Sequence, residues 1–285
     1  MKKIEELRVS VFSDGADLPG ILEMYARPWI RGFTTNPTLM RKAGVRNYEA
    51  FARSLLHAVP DRPVSLEVFA EDEAGMEMQA LTIATWGANV NVKIPVTNRE
   101  GVFLGPLIRR LGEAGVVVNV TAVFTLQQVE HVVQALAPET AAIVSIFAGR
   151  IADTGLDPVP LMTAAKRILG WRPKAQLLWA SPRELLNVFQ AADAGCDIIT
   201  LPPEMLRKVE LLGRDLQQYS LETVEMFHHD AWAVGYQIDT GVLAAAKTGS
   251  PSTCGIAKDN LGGLGKITSQ VVGAGVRNPQ NRPGA

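Results

Sequence analysis

The sequence predicts an α/β chain closed into a (β/α)8 barrel, and two observations carry that reading. Eight short strand-like runs alternate with amphipathic helical stretches from Val9 to about Tyr236, and no segment repeats another. That rhythm is the signature of a TIM barrel. The first run is also followed by Gly15 alone, whereas an open doubly wound sheet usually has a Gly-rich turn there.

The expected strands are Val9–Asp14, Gly32–Asn36, Val64–Phe69, Val90–Ile94, Val116–Thr121, Ala142–Phe147, Gln176–Ser181 and Asp197–Leu201. Helices fall between them. In Gln127–Ala137 the residues Val129, Val132, Val133 and Leu136 follow the i, i+3, i+4, i+7 spacing of one buried face. Leu185, Leu186, Phe189 and Ala192 give Arg183–Ala194 a similar stripe. Ala114-Gly115 and Ala194-Gly195 close helices just before the fifth and eighth strands. The barrel domain is therefore expected over residues 1–236. Residues 237–285 are rich in Gly, Ser, Asn and Pro; they are expected to form a largely flexible C-terminal extension, with a short helix possible over Thr240–Lys247.

The stretch Asn89–Thr97 organises the rest. Val90, Val92 and Ile94 alternate with Asn91 and Lys93, so one face of this strand is apolar and the other carries an amide and an amine. Pro95 is expected to end the ladder. Burial would disfavour the ammonium of Lys93 and favour a nucleophilic amine. A lone strand lysine more often snorkels to water, so its neighbours must decide.

Residues two apart on a strand share a face. That parity groups Ser10, Phe12 and Asp14; Gly32, Thr34 and Asn36; Ser65, Glu67 and Phe69; Asn91 and Lys93; Val117, Asn119 and Thr121; Ile143, Ser145 and Phe147; and Leu177, Trp179 and Ser181. Polar members gather toward the strands' C-terminal ends, where such barrels place their active sites. Singly, Asp14 reads as a helix N-cap, Asn36 as a turn former and Glu67 as a surface carboxylate. Together they are too many for a dry core, because each unpaired buried group costs about 1–3 kcal/mol. A hydrogen-bonded catalytic cup accounts for all of them.

Composition narrows the chemistry. Lys+Arg number 28 against Asp+Glu 29, which offers no polyanion-binding signal. No apolar run is long enough to span a membrane, the start lacks a secretory apolar region, and Cys196 and Cys254 lie far apart. A cytoplasmic protein is expected, without nucleic-acid or membrane partners. His57, His131, His228 and His229 fall on expected helices, so neither a metal nor another cofactor is predicted. A desolvated lysine beside carboxylates points to Schiff-base chemistry on a carbonyl. Asp14 and Glu67 are the proton carriers, and Thr121 suits a relayed water. Ser181 and Arg183 are expected at a helix N-terminus, with Arg150 on the adjacent loop, as a phosphate site.

These segments resemble the transaldolase and fructose-6-phosphate aldolase group of class I aldolases over about Val9–Tyr236. The carrying motifs are Phe12-Ser13-Asp14, Thr34-Thr35-Asn36-Pro37, Glu67-Val68, Val92-Lys93-Ile94-Pro95-Val96-Thr97, Asn119-Val120-Thr121, Ser145-Ile146-Phe147-Ala148-Gly149-Arg150 and Ala180-Ser181-Pro182-Arg183. The resemblance implies that Lys93 forms the imine, Asp14 exchanges the C4 hydroxyl proton, and Glu67 and Thr121 hold a proton-shuttling water. Asn36, Asn119 and Ser145 would bind the dihydroxyacetone unit and Arg150, Ser181 and Arg183 the phosphate, with Thr34 and Phe147 also among the substrate-binding residues. It also implies sugar-phosphate substrates and a homo-oligomer, a pentamer or decamer. Aldolase members tend to carry Gln in place of Glu67 and Tyr in place of Phe147, so transfer is expected over release of free dihydroxyacetone. An aldolase and a catalytically retired sugar-phosphate sensor are the alternatives. Arg27-Pro28-Trp29-Ile30-Arg31 is unusual for the group and is expected to reshape the mouth of the site.

Overall fold

The structure is a computed structural model in which residues 4–240 are described. The chain divides into two units, one ending at Leu216 and the other beginning at Gln217. Most of the expected helix over Thr240–Lys247, and most of the extension, lie outside the described residues.

The first unit runs β1 (Ser10–Asp14), α1 (Leu18–Tyr25), β2 (Ile30–Thr34), α2 (Pro37–Lys42), α3 (Tyr48–Ala58), β3 (Val64–Glu67), α4 (Glu73–Ala84), β4 (Val90–Pro95) and α5 (Gly105–Glu113). It continues through β5 (Val118–Val123), α6 (Leu126–Ala135), β6 (Ala142–Ile146), α7 (Ala148–Ala152), α8 (Pro158–Leu169), β7 (Ala175–Trp179), α9 (Leu186–Asp193), β8 (Ile198–Leu201) and α10 (Pro203–Arg207). The helix α11 (Leu216–Val234) makes up most of what is described of the second unit. Each strand pairs in parallel with the next, and β8 pairs with β1, so the barrel closes.

Local chemistry sets the element ends. Asp17, Asn36, Asn47, Asp72 and Asp157 accept from backbone N–H groups as N-caps, and Thr125 with Gln128 forms a capping box. Gly115 and Gly195 adopt φ of 81° and 80°, the left-handed closure expected of them. The outer faces of the strands pack under the helices, with Leu66, Val92, Ile94, Val120, Val144 and Trp179 completely buried. Inside the barrel Phe12, Ile143, Leu178, Ala180 and Ile198 form a separate apolar plug, with Phe147 against it.

All eight expected strands exist, with shifted ends. Pro95, opposite Thr121, is the last residue of β4 and ends the ladder as expected, one residue past the expected strand bound. In α6 the expected face is buried, with Val129, Val132 and Val133 at or below 6% exposure. In α9 it is not. That helix starts at Leu186, and its buried positions are Asn187, Val188 and Ala191, while Leu186 is exposed.

Two expectations about the barrel's inside fail. In β7, Leu178 and Ala180 face inward, and Leu177 and Trp179 pack with the helices. The two polar residues of that run, Gln176 and Ser181, fall on opposite parities and so do not fix it. The segment Arg27–Arg31 does not reshape the mouth either. It precedes and opens β2, so it lies at the N-terminal end of the strands, where Pro28, Trp29 and Arg31 line a second cavity with Ile4 and Arg8.

Candidate active site

A cavity of about 410 Å3 opens at the C-terminal ends of the strands. Its lining includes Asp14, Thr34, Asn36, Glu67, Lys93, Asn119, Thr121, Ser145, Phe147, Arg150 and Ser181. Eleven of the twelve residues singled out from the sequence thus meet in one chamber; Arg183 is outside its lining.

Lys93 sits low in this chamber, 7% exposed. Parity on β4 turns it inward, and the register places it between Glu67 on β3 and Asn119 on β5. Its Nζ donates to the Glu67 carboxylate at 2.9 Å and to the Thr35 carbonyl at 2.8 Å. The amine is therefore both shielded from water and ion-paired. Glu67 is held in turn, because Tyr48 Oη donates to its backbone carbonyl at 2.9 Å, and the amides of Phe69 and Ala70 both donate to Gln79 Oε1.

Asp14 ends β1, and Thr34 Oγ1 donates to its carboxylate at 2.8 Å. The helix cap near it is Asp17, not Asp14. Burial pushes the Asp14 carboxyl above the usual range; Lys93 and the Thr34 hydrogen bond pull against this, and Glu67 adds to the rise. An acid with a raised folded-state pKa keeps its proton longer in the folded chain than in the unfolded one. Its contribution is most favourable below the ordinary value of 3.8 and is lost as pH rises through the raised value. Asp14→Asn, which still accepts from Thr34, should therefore raise Tm at pH 7 by a few degrees. That gain should shrink below pH ~4, while kcat falls by about 10²–10⁴. Calorimetry at both pH values checks the sign: a lower Tm at pH 7 would contradict the burial argument.

Asn36 combines two roles. Its Oδ1 caps α2 by accepting from Leu39 N at 3.0 Å, and its side chain acts to hold the Asp14 carboxyl down. With the oxygen committed to the cap, the amide NH2 is what Asn36 has left to offer a neighbouring acceptor. Deeper in, Ser145 Oγ donates to Asn119 Oδ1 at 2.7 Å, and Asn119 Nδ2 donates to Ser65 Oγ at 3.1 Å. This chain across β3, β5 and β6 fixes which way the Asn119 amide points.

Thr121 is buried, and its Oγ1 has no hydrogen-bond partner among the described residues. An orphaned hydroxyl in a polar cavity is a binding position for water or a substrate hydroxyl. The register slips between Val120 and Val123, and Ala122 takes φ of 60°. For a non-glycine residue that conformation is strained, as is frequent beside functional sites.

The expected phosphate end is rearranged. Arg150 on α7 lines the cavity and lies over the Phe147 ring, 5.1 Å from its centroid. Arg183 instead forms a two-point ion pair with Asp153 and donates through Nη1 to Ser181 Oγ and Ser181 O, both at 3.0 Å. It precedes α9 rather than starting it. Asn187 Oδ1 accepts from the backbone amides of Arg183 and Glu184, so those amides are already satisfied. Asp153 carried no sequence signal, since an acid beside an expected phosphate site runs against charge logic.

Sequence reasoning also missed Thr200 on β8, which lines the cavity. Ser181 enters the lining although β7 parity excludes it, because its φ of 60° turns the chain back toward the rim. Cys196 is buried, which pushes its thiol up to about 12 and leaves it unreactive. Among the described residues, no group of three His, Cys, Asp or Glu side chains could hold a metal ion, and no helix is long and apolar enough to cross a membrane.

Comparison with known proteins identifies the family. The family described as Transaldolase/Fructose-6-phosphate aldolase matches residues 11–249. The chain belongs to that family. A protein described as "Probable transaldolase" from Dehalococcoides mccartyi is 36% identical over 200 residues, covering 70% of this chain and 89% of that protein. One so described from Methanococcus maripaludis is 34% identical over 199 residues, covering 70% and 88%. One from Thermoplasma volcanium is 35% identical over 204 residues, covering 70% and 86%. The chamber described above lies wholly within the family match.

Proposed function

We propose that this chain is a transaldolase, moving a dihydroxyacetone unit from a ketose phosphate to an aldose phosphate through an imine on Lys93. The observation that carries this reading is the Lys93 amine, held between the Glu67 carboxylate and the Thr35 carbonyl, in one chamber with Asp14. The relatives' names support transfer.

The steps follow from the positions. Glu67, 2.9 Å from Nζ, accepts the ammonium proton, and the freed amine attacks the ketose C2. The carbinolamine loses water to give an iminium, with Glu67 and a water on Thr121 carrying protons. Asp14 then takes the C4 hydroxyl proton as the C3–C4 bond breaks. An aldehyde leaves, and the electron pair stays on the dihydroxyacetone unit as an enamine. Addition of the enamine to an aldose carbonyl, with Asp14 returning its proton, forms the new carbon–carbon bond, and hydrolysis frees Lys93. Phe147 has no hydroxyl with which to protonate the enamine, which favours waiting for an acceptor. Arg150 is the guanidinium placed to take the phosphate, while Arg183 with Asp153 holds the Ser181 rim.

Borohydride reduction in the presence of fructose 6-phosphate tests this. Mass spectrometry should find a stable adduct on Lys93, and cleavage of the ketose should depend on an added aldose phosphate. Reduction at another lysine would refute the imine assignment. Rapid release of free dihydroxyacetone without an acceptor would favour an aldolase.

A further inference from the structure

We propose that Thr200 is a positioning residue for Asp14, acting through Thr34. The inference rests on the reaction read above, in which Asp14 carries the C4 proton. The Thr34 and Thr200 hydroxyl oxygens are 2.5 Å apart, both side chains are buried, and Thr34 Oγ1 is 2.8 Å from Asp14 Oδ1.

Proton counting fixes the direction of this chain. A threonine hydroxyl has one proton to give. When Asp14 is ionised, Thr34 spends that proton on the carboxylate, so the short contact to Thr200 requires Thr200 to donate to Thr34. When Asp14 has taken the C4 proton it becomes a donor, and both hydroxyls can reverse, with Asp14 donating to Thr34 and Thr34 to Thr200. The pair thus satisfies both states that the carboxyl passes through in cleavage and condensation. Neither heavy atom has to move. Phe12, beneath Asp14 on β1, is opposite Thr200 in the β1–β8 register, which fixes Thr200 next to the strand bearing the base. Lys93 on β4 and Glu67 on β3 are the other ionisable groups acting on Asp14, and Arg150 on α7 shares the cavity. None of these is bonded to Thr200.

Thr200→Val keeps the shape and deletes the hydroxyl. Thr34 is then free to rotate, and the bond that favours ionised Asp14 weakens. The expected result is a fall in kcat of about tenfold, a fraction of the ~10²–10⁴ that a positioned base supplies, with KM within about threefold. The acidic limb of the kcat/KM profile should move to higher pH. Thr200→Ser should restore both rate and profile, and borohydride trapping at Lys93 should proceed in both variants. An unshifted profile in Thr200→Val, or a Ser variant that behaves like Val, would overturn the inference. Failure of the wild-type protein to form the Lys93 adduct would instead refute the reading of the reaction, so the two failures are told apart. Circular dichroism of both variants guards against simple unfolding: if Val unfolds, Ser against wild type still decides, because a Ser variant with altered profile contradicts the relay.

Discussion

Lys93→Met should lose at least about 10⁴-fold in kcat/KM, because the covalent route disappears and binding alone remains. Its structural effect is equally specific. Methionine fills nearly the same volume, so little cavity forms. Glu67, however, loses the cation 2.9 Å away and is left sharing the chamber with Asp14. The Glu67 side chain is 19% exposed, so the penalty should be smaller than the 3–5 kcal/mol typical of breaking a fully buried pair, about 1–3 kcal/mol. It should grow as pH rises, since the Asp14 carboxyl, already pushed up by burial, loses the Lys93 charge that pulls against that rise. Adding Glu67→Gln should restore stability without restoring activity. Urea unfolding of the single and double variants at pH 5 and pH 8 measures this. A double variant no more stable than Lys93→Met would show that the ion pair does not hold the floor together.

Gly149→Ala, next to the chamber-lining Arg150 and packed on the Ser181 backbone, should be severely damaging. A Cβ built on Gly149 would lie 1.5 Å from the Ser181 carbonyl oxygen and 2.6 Å from its carbon. Carbon and oxygen need about 3.3 Å, and the obstacle is backbone. The β6 and β7 ends would have to separate by more than an ångström. Separation would break the Gly149 N–H bond to the Ala180 carbonyl and shift Ser181, whose hydroxyl and carbonyl anchor Arg183. We expect a loss of about 3 kcal/mol or more and, in whatever folds, a KM for phosphorylated ketoses raised by about 10² with a smaller change in kcat. Thermal unfolding and steady-state kinetics read these separately. A variant with wild-type Tm would mean that this rim is far softer than its packing implies.

The chamber's membership was largely legible in the sequence because strand alternation is a local property. Lys93, Glu67, Asn119 and Thr121 face inward since each lies two residues from another polar residue on a strand with an apolar other side. The rule failed where its assumptions do. The run Gln176–Ser181 is apolar at most positions, so alternation could not tell Leu177 from Leu178, and a positive φ then put Ser181 back on the rim. Thr200 escaped for another reason: its partner Thr34 is 166 residues away in sequence. Its own strand, Ile198–Leu201, reads as a buried apolar run with one tolerated hydroxyl.

By itself, the chain's order of residues determined the eightfold strand–helix rhythm, the inward amine with its two acids, and the family motifs. All three depend on periodicity and spacing along a short stretch. Only the tertiary structure decided the pairing of Lys93 with Glu67, the capture of Arg183 by Asp153, the Thr200–Thr34–Asp14 hydrogen-bond chain and the end of the barrel at which Arg27–Arg31 lies. Each of those is a meeting between strands or loops whose distance in space is set by barrel closure, which no local pattern encodes.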